Sequence, residues 1–284
     1  MRRVCTCVLA VAVVGCADIN TDPAVPASIE LGAQAFPSIA VGDSLRDTLG
    51  VARPLRALLR NLRGDVIEDA PVRFLSRDAA LVVDSVTGHA FAVSRPSGGN
   101  VQVAARFEQA LQALQSIRIS REPDAVTRLD SARIDSLLAD GTPGALAANR
   151  AEIAVRASWR DTAGAVQPST DWLVRFAVVE PANPRNDTTA AVFLIDDVGR
   201  ARQLDTTDTN GRASRFIRVR ASLFPGAGVV EDTVVVEALV RRRGQSVPAE
   251  PLRIRVPVRR DALPAPIGGA VPSRSGGSGS ILPG

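Results

Sequence analysis

One pattern governs most of this chain: short runs with an apolar side chain at every second position, each closed by turn residues. Val72-Arg73-Phe74-Leu75-Ser76, Ala90-Phe91-Ala92-Val93-Ser94 and Val101-Gln102-Val103-Ala104-Ala105 alternate in this way. Turn signals separate them at Gly42-Asp43, Arg63-Gly64-Asp65, Thr87-Gly88 and Ser97-Gly98-Gly99-Asn100. Farther along, Ile153, Val155, Ala157 and Trp159 share one face, and Trp172, Val174, Phe176 and Val178 another. Val192 with Leu194 follows, then Val234 to Val240, and last Leu252, Ile254, Val256 and Val258 against Arg253, Arg255 and Arg259. Asp208-Thr209-Asn210-Gly211 supplies the positive φ angles that a tight hairpin requires. Alternation of period two with turns at this spacing predicts an all-β sandwich architecture. Two stretches are less decided. Ala110, Leu111, Leu114 and Ile117 would also suit a helix face, and Ser131 to Ala139 reads as a first strand or a short helix.

At 284 residues the chain exceeds one typical domain. The pattern divides it into sandwiches over 28–120 and 121–261. The remainder, 262–284, holds mostly glycine, proline and serine, a composition that cannot bury enough surface to offset its ordering entropy. A disordered tail is expected there.

The N-terminus has a different character. Met1-Arg2-Arg3 is basic, Val4 to Val14 is apolar apart from Cys and Thr, and Val13-Val14-Gly15-Cys16 is followed by polar residues. The run is too short to span a bilayer, which takes about 20 apolar residues, but suits a signal peptide. Charge, run and box together resemble the bacterial lipoprotein signal. That resemblance implies cleavage of residues 1–15, lipid on Cys16, and a short leash over 16–27. More than one acyl chain would then give lasting anchorage. Ala17 after the cysteine is the residue that favours the outer membrane under the enteric retention rule. All three cysteines lie within these sixteen residues, so the mature chain would hold neither a free thiol nor a disulfide.

The motif order in the first sandwich resembles bacterial Ig-like domains of group 2. It runs Val41-Gly42-Asp43, Leu55 to Leu59, Gly64-Asp65-Val66-Ile67, Val72 to Asp78 and Thr87-Gly88. It continues through Val101 to Ala105 and ends at Ser116 to Ser120. Phe74 stands where that family more often has tryptophan, and the stretch from Ser44 to Pro54 is longer than its pattern. In the second sandwich the order Ala139-Asp140-Gly141, Asp161 to Gly164, Val174-Arg175-Phe176 and Thr209-Asn210-Gly211-Arg212-Ala213 is similar, more weakly, to the invasin-type group 1 domains. These resemblances imply two Ig-like β-sandwiches in series; Phe74 is expected as an aromatic core plug, and Trp159 and Trp172, both on alternating stripes, are expected in the core of the second.

Chemistry is sparse. A single His, a single Met and no Cys beyond residue 16 exclude thiol catalysis, haem ligation and zinc clusters from the body of the chain. His89 would have to be the base of any Ser-His-Asp set, and no Gly-x-Ser-x-Gly elbow accompanies it. Asp205, Asp208 and Asn210 have calcium-like spacing but lack the downstream bidentate Glu, which favours a polar hairpin. Asn186-Asp187-Thr188 matches a glycosylation sequon, and Arg241-Arg242-Arg243 before Gly244 reads as a solvated turn. No lysine occurs. With Arg2 and Arg3 removed, 32 arginines face 30 acids, so the pI near 10.0 reflects a scarcity of titrating groups rather than a strong field. Nucleic acid is not expected as a partner. No catalytic residue, metal or cofactor is assigned. The expected role is a non-catalytic envelope lipoprotein that serves adhesion, display or scaffolding, with a membrane partner through Cys16 and an envelope protein as ligand. The alternative is a glycan-binding accessory with a polysaccharide ligand, which would need an exposed aromatic cluster.

Overall fold

The structure, a computed structural model, describes residues 25–34, 36–129, 131–224 and 230–260. The signal, Cys16 and the segment 262–284 lie outside these residues. The chain divides into two compact units, with the division between Ser120 and Arg121. Among the described residues no helix is long and apolar enough to cross a membrane.

Among its described residues the first unit contains nine strands: β1 (Pro26–Leu31), β2 (Ser38–Ala40), β3 (Ala57–Asn61), β4 (Val66–Ile67), β5 (Arg73–Ser76), β6 (Leu81–Val83), β7 (Ala90–Ala92), β8 (Asn100–Phe107) and β9 (Leu111–Ser120). Strand β1 begins inside the stretch expected to be leash. One sheet has the order β2-β9-β8-β5, another β1-β3-β4, and β6 pairs with β7. The Leu55 N–H donates to the Gly88 carbonyl, which ties the β6–β7 hairpin to the chain leading into β3. Ile39, Leu55, Phe74, Leu81, Val103, Ile117 and Ile119 fill the space between the layers. Phe74 is therefore the expected core aromatic. The stretch that also suited a helix is strand β9, because Leu111 to Arg118 pair residue by residue with β8.

Part of the family-like motif order has a visible cause. Gly42 has φ +78 and donates to the Ala92 carbonyl, while Asp43 accepts two bonds from Arg46 at 2.7 Å. That corner joins β2 to β7. The long Ser44–Pro54 stretch holds an extra small hairpin, closed by the bridge of Arg46 to Ala52.

The second unit comprises β10 (Ala125–Arg128), the four-residue helix α1 (Ala145–Ala148), β11 (Arg150–Arg160), β12 (Val166–Pro168), β13 (Leu173–Glu180), β14 (Val192–Ile195), β15 (Leu204–Thr206), β16 (Arg212–Val219), β17 (Glu231–Arg242) and β18 (Gln245–Arg259). Its sheets have the orders β10-β11-β16-β14, with β12 beside β11, and β15-β13-β17-β18. Counted along the chain, that is the ABED and CFG arrangement of an Ig-like sandwich, with β12 added beside B and β15 beside C. The inward stripes are the predicted ones: Val174, Phe176, Val178, Val234, Val236, Ala238, Val240, Ile254, Val256 and Val258 are all buried. Burying a side chain such as Phe176 contributes roughly 1.5–3 kcal/mol.

Ser131 to Ala139 is neither a regular strand nor a helix. Ile134 instead makes a parallel bridge to Val258, accepting from Arg259 and donating to Pro257. Strand β18 carries Pro248, Pro251 and Pro257, which lack the N–H a central strand must donate, so an edge position suits it. Trp159 departs from expectation. Trp172 is buried at 3% exposure, but Trp159 is only half-buried at the end of β11. There Arg121 lies over its ring at 5.4 Å, and its indole N–H donates to the Pro168 carbonyl.

Candidate functional site

Five hairpin corners share one chemistry: Asp47 to Gly50, Asn61 to Gly64, Asp161 to Gly164, Asp196 to Gly199 and Asp208 to Gly211. In each, the glycine N–H donates to the carbonyl of the first residue, and the glycine has positive φ. The first residue's side-chain oxygen accepts the N–H four positions on. Such side-chain turns substitute for missing ladder bonds. They give Asp47, Asp161, Asp196 and Asp208 a structural role that needs no ligand.

The Asp205, Asp208 and Asn210 group resolves along these lines. Asp208 Oδ1 accepts from the backbone of Asn210 and Arg212 at 2.8 and 2.9 Å. Asp205 faces away into an ion pair with Arg215, 3.0 Å from Nη1, and also accepts from the Ser214 N–H. A guanidinium therefore occupies the side of Asp205 that a cation would need. Among the described residues no cluster of three His, Cys, Asp or Glu side chains has metal-binding geometry.

The remaining sequence candidates disperse. His89 is exposed beside the Asp84–Gly88 turn. Asn186 is only 9% exposed, and its amide is bonded to Leu194, so the sequon asparagine belongs to the fold. The arginine triplet is not simply solvated. Arg242 and Arg243 both hold Glu122, at 2.6 and 2.8 Å, and Arg242 also reaches Asp124.

What the sequence patterns did not disclose is a groove in the second unit, of about 890 Å³. Its floor is the outer face of β11, β16 and β14, where Arg150, Arg218 and Phe193 form one cross-strand row. Arg220 lies over the Phe193 ring at 5.6 Å and Arg150 over Phe216 at 4.8 Å. Arg220 also donates to the Thr188 carbonyl, and Arg218 to that of Leu146. The walls come from the Asp140–Leu146 segment and from the Asp197–Gly199 turn. Burial lowers the pKa of Arg218; Asp140 opposes that shift, and Arg220 and Arg150 add to it. The signal that could have found the groove is the outward pair Phe216 and Arg218 of β16 with Arg220 just beyond its end, a set that sits beside Arg150 once the strands pair.

No protein-family model matches the chain, and no curated protein matches it. Among solved structures, the chain is similar to domains 5–6 of the S-layer protein SbsC at 14% identity, over 84% of this chain and 99% of that one, with TM-score 0.28. It is similar to the Yersinia pseudotuberculosis adhesin InvE at 15% identity, over 81% of this chain and 58% of that one, with TM-score 0.33. It is also similar to protocadherin gamma B7 domains 1–4 at 10% identity, over 82% of this chain and 49% of that one, with TM-score 0.25.

Proposed function

We propose that the chain is a non-catalytic, lipid-anchored module of a bacterial cell envelope, in which two Ig-like sandwiches carry a binding surface at the end of a tether on Cys16. The observation that carries this reading is the sequence Val13-Val14-Gly15-Cys16 at the close of a basic-then-apolar leader, followed by two separately cored sandwiches. The fate of the polar residues supports the non-catalytic part. Asp205 serves Arg215, Asp208 serves its own turn, and His89 stands exposed at a hairpin. Outer-membrane attachment at the periplasmic face or the cell surface is the location that Ala17 favours. For the glycan alternative, Trp172 is buried and Trp159 lies beneath Arg121, so neither offers an open aromatic platform.

Cys16→Ala in the full precursor tests the tether. The variant is expected to remain unprocessed and to leave the detergent phase on fractionation. Normal processing and partition would overturn the reading. A pull-down from envelope extract with the lipidated full chain then separates the ligands: a protein partner is expected, whereas retention on polysaccharide would favour the glycan role.

A further inference from the structure

Several arginines of the second unit have acidic partners: Arg212 has Glu152, Arg215 has Asp205, and Arg242 with Arg243 has Glu122. The groove departs from that pattern. Arg150 and Arg218 stand directly opposite one another on antiparallel strands, an arrangement that costs stability for like charges. Arg220 adds a third guanidinium. Among the described residues none of the three is ion-paired. Asp140 lines the same groove, but its oxygens are taken by the Ala221 and Ser222 N–H groups and by Ser222 Oγ, at 3.1, 2.9 and 2.5 Å. That leaves exposed Asp197 as the other carboxylate of the lining.

The rings of Phe193 and Phe216 lie under two of the guanidiniums and hold them in place before any ligand arrives. The lining also includes two aliphatic side chains left in water, Leu146 at 71% and Val198 at 64% exposure. Fixed cations on a floor with aliphatic groups at the walls complement a chain that carries both carboxylates and aliphatic side chains. A sugar ring would want an open aromatic face, and Phe193 is 9% exposed beneath Arg220.

We propose that this groove is the partner-binding site of the protein and takes an acidic peptide segment of another protein, with carboxylates on Arg150, Arg218 and Arg220 and aliphatic side chains on Leu146 and Val198. This deepens the module reading above and rests on it only for the idea that a surface is being presented. Guanidinium–carboxylate pairing is bidentate and directional, so each arginine is a separate recognition point.

The test is fluorescence anisotropy on the full lipidated chain in detergent. The probe is a labelled peptide alternating glutamate with leucine, set against the same peptide with glutamine for glutamate and against a sulfated oligosaccharide. The acidic peptide is expected to bind at least about tenfold more tightly than either, and to weaken as salt rises. Arg150→Gln and Arg218→Gln should each cost about tenfold or more. Arg150 is exposed, so its variant carries the test even if Arg218→Gln fails to fold. Arg150→Glu should shift preference toward a lysine–leucine peptide. Equal binding of the two peptides, tighter binding of the oligosaccharide, or full affinity in Arg150→Gln would overturn the proposal. Loss of peptide binding by a chain that is still membrane-bound overturns the groove alone. A chain that binds peptide but is never processed at Cys16 overturns the tether alone.

Discussion

The side chain of Asn186 exchanges two hydrogen bonds with the backbone of Leu194: Nδ2 donates to the carbonyl at 2.8 Å, and the Leu194 N–H donates to Oδ1 at 2.6 Å. Asn183 adds a bond to the Val192 carbonyl at 2.8 Å. Two amides thus stand where a neighbouring strand would bond to β14, an outermost strand of its sheet. Unpaired strand edges invite edge-to-edge association, and this one is occupied. Asn186 itself has φ +56, a conformation asparagine tolerates better than most residues. Asn186→Ala should lose about 1–3 kcal/mol in urea denaturation, because the buried Leu194 N–H loses its partner while the Leu194 carbonyl keeps only the bond from the Arg202 N–H. The variant should also self-associate more readily in sedimentation velocity. Unchanged stability and a monomeric profile would show that the edge needs no cap.

Two glycines of the same turn type allow a controlled comparison. A Cβ on Gly164, φ +84, would meet open space, whereas one on Gly211, φ +72, would lie 2.4 Å from the Ala157 carbonyl oxygen. Gly164→Ala should cost about 1–2 kcal/mol from the left-handed backbone alone. Gly211→Ala should cost appreciably more, because the contact it creates is with backbone and the Ala157 N–H to Gly211 bond holds that backbone in place. Equal melting temperatures for the two variants would refute the clash.

Acid should unfold the protein through its turns. Backbone and side-chain bonds hold Asp161 below its ordinary value of 3.8, chiefly the one from Gln167 and that from the Ala165 N–H. The Val51 N–H is the main cause for Asp47. Their folded pKa values lie below the unfolded ones, so their contribution is complete above about pH 5 and is lost as pH falls through and below about 4. Asn61 already builds the same turn without a charge. Asp161→Asn should therefore keep the turn while flattening the acid limb of a melting-temperature titration. An acid limb identical to that of the parent would rule out Asp161 as a contributor.

Arg215 is 7% exposed on the inward face of β16, where it donates to the Leu204 carbonyl and pairs with Asp205. It is a charged bridge between strands of the two sheets. Arg215→Ala should destabilise the second unit by about 2–3 kcal/mol, less than for a fully buried pair because Asp205 is partly exposed. A double-mutant cycle with Asp205→Ala should return a coupling of at least about 1 kcal/mol. Strict additivity would mean that the pair carries no interaction energy.

Much of the architecture was legible along the chain because burial on one face of a strand writes itself as alternation. Val174 to Val178 and Val234 to Val240 read correctly for that reason. Trp159 continued its stripe by count but is only half-buried near the end of β11, with Arg121 over its ring. Arg215 occupies an inward position that hydropathy assigns to the surface, and only the approach of β15 supplies its partner. The Asp/Asn-x-x-Gly spacing recurs five times in the sequence, a signal sufficient to find all five corners. The groove was not legible by such means. Arg150, Arg218 and Phe193 become neighbours only through the pairing of three strands that are far apart along the chain.

Parallel pairing near the ends of both units has a mechanical consequence. Ser38 to Ala40 lie parallel to Arg118 to Ser120, and Ile134 lies parallel to Val258. In each unit a segment from the early part of its chain, β2 in the first and the stretch at Ile134 in the second, is thus bonded to the strand at the outgoing end. Tension pulling those two ends apart loads the bridging bonds in shear, together, rather than opening them one by one like a zipper. When a unit is pulled from its two ends, its resistance to rupture would then be set by these few bonds near the termini. Optical-trap pulling on a variant with Ile134→Pro, which removes the donor to Pro257, would show it as a drop in the force at which the second unit gives way.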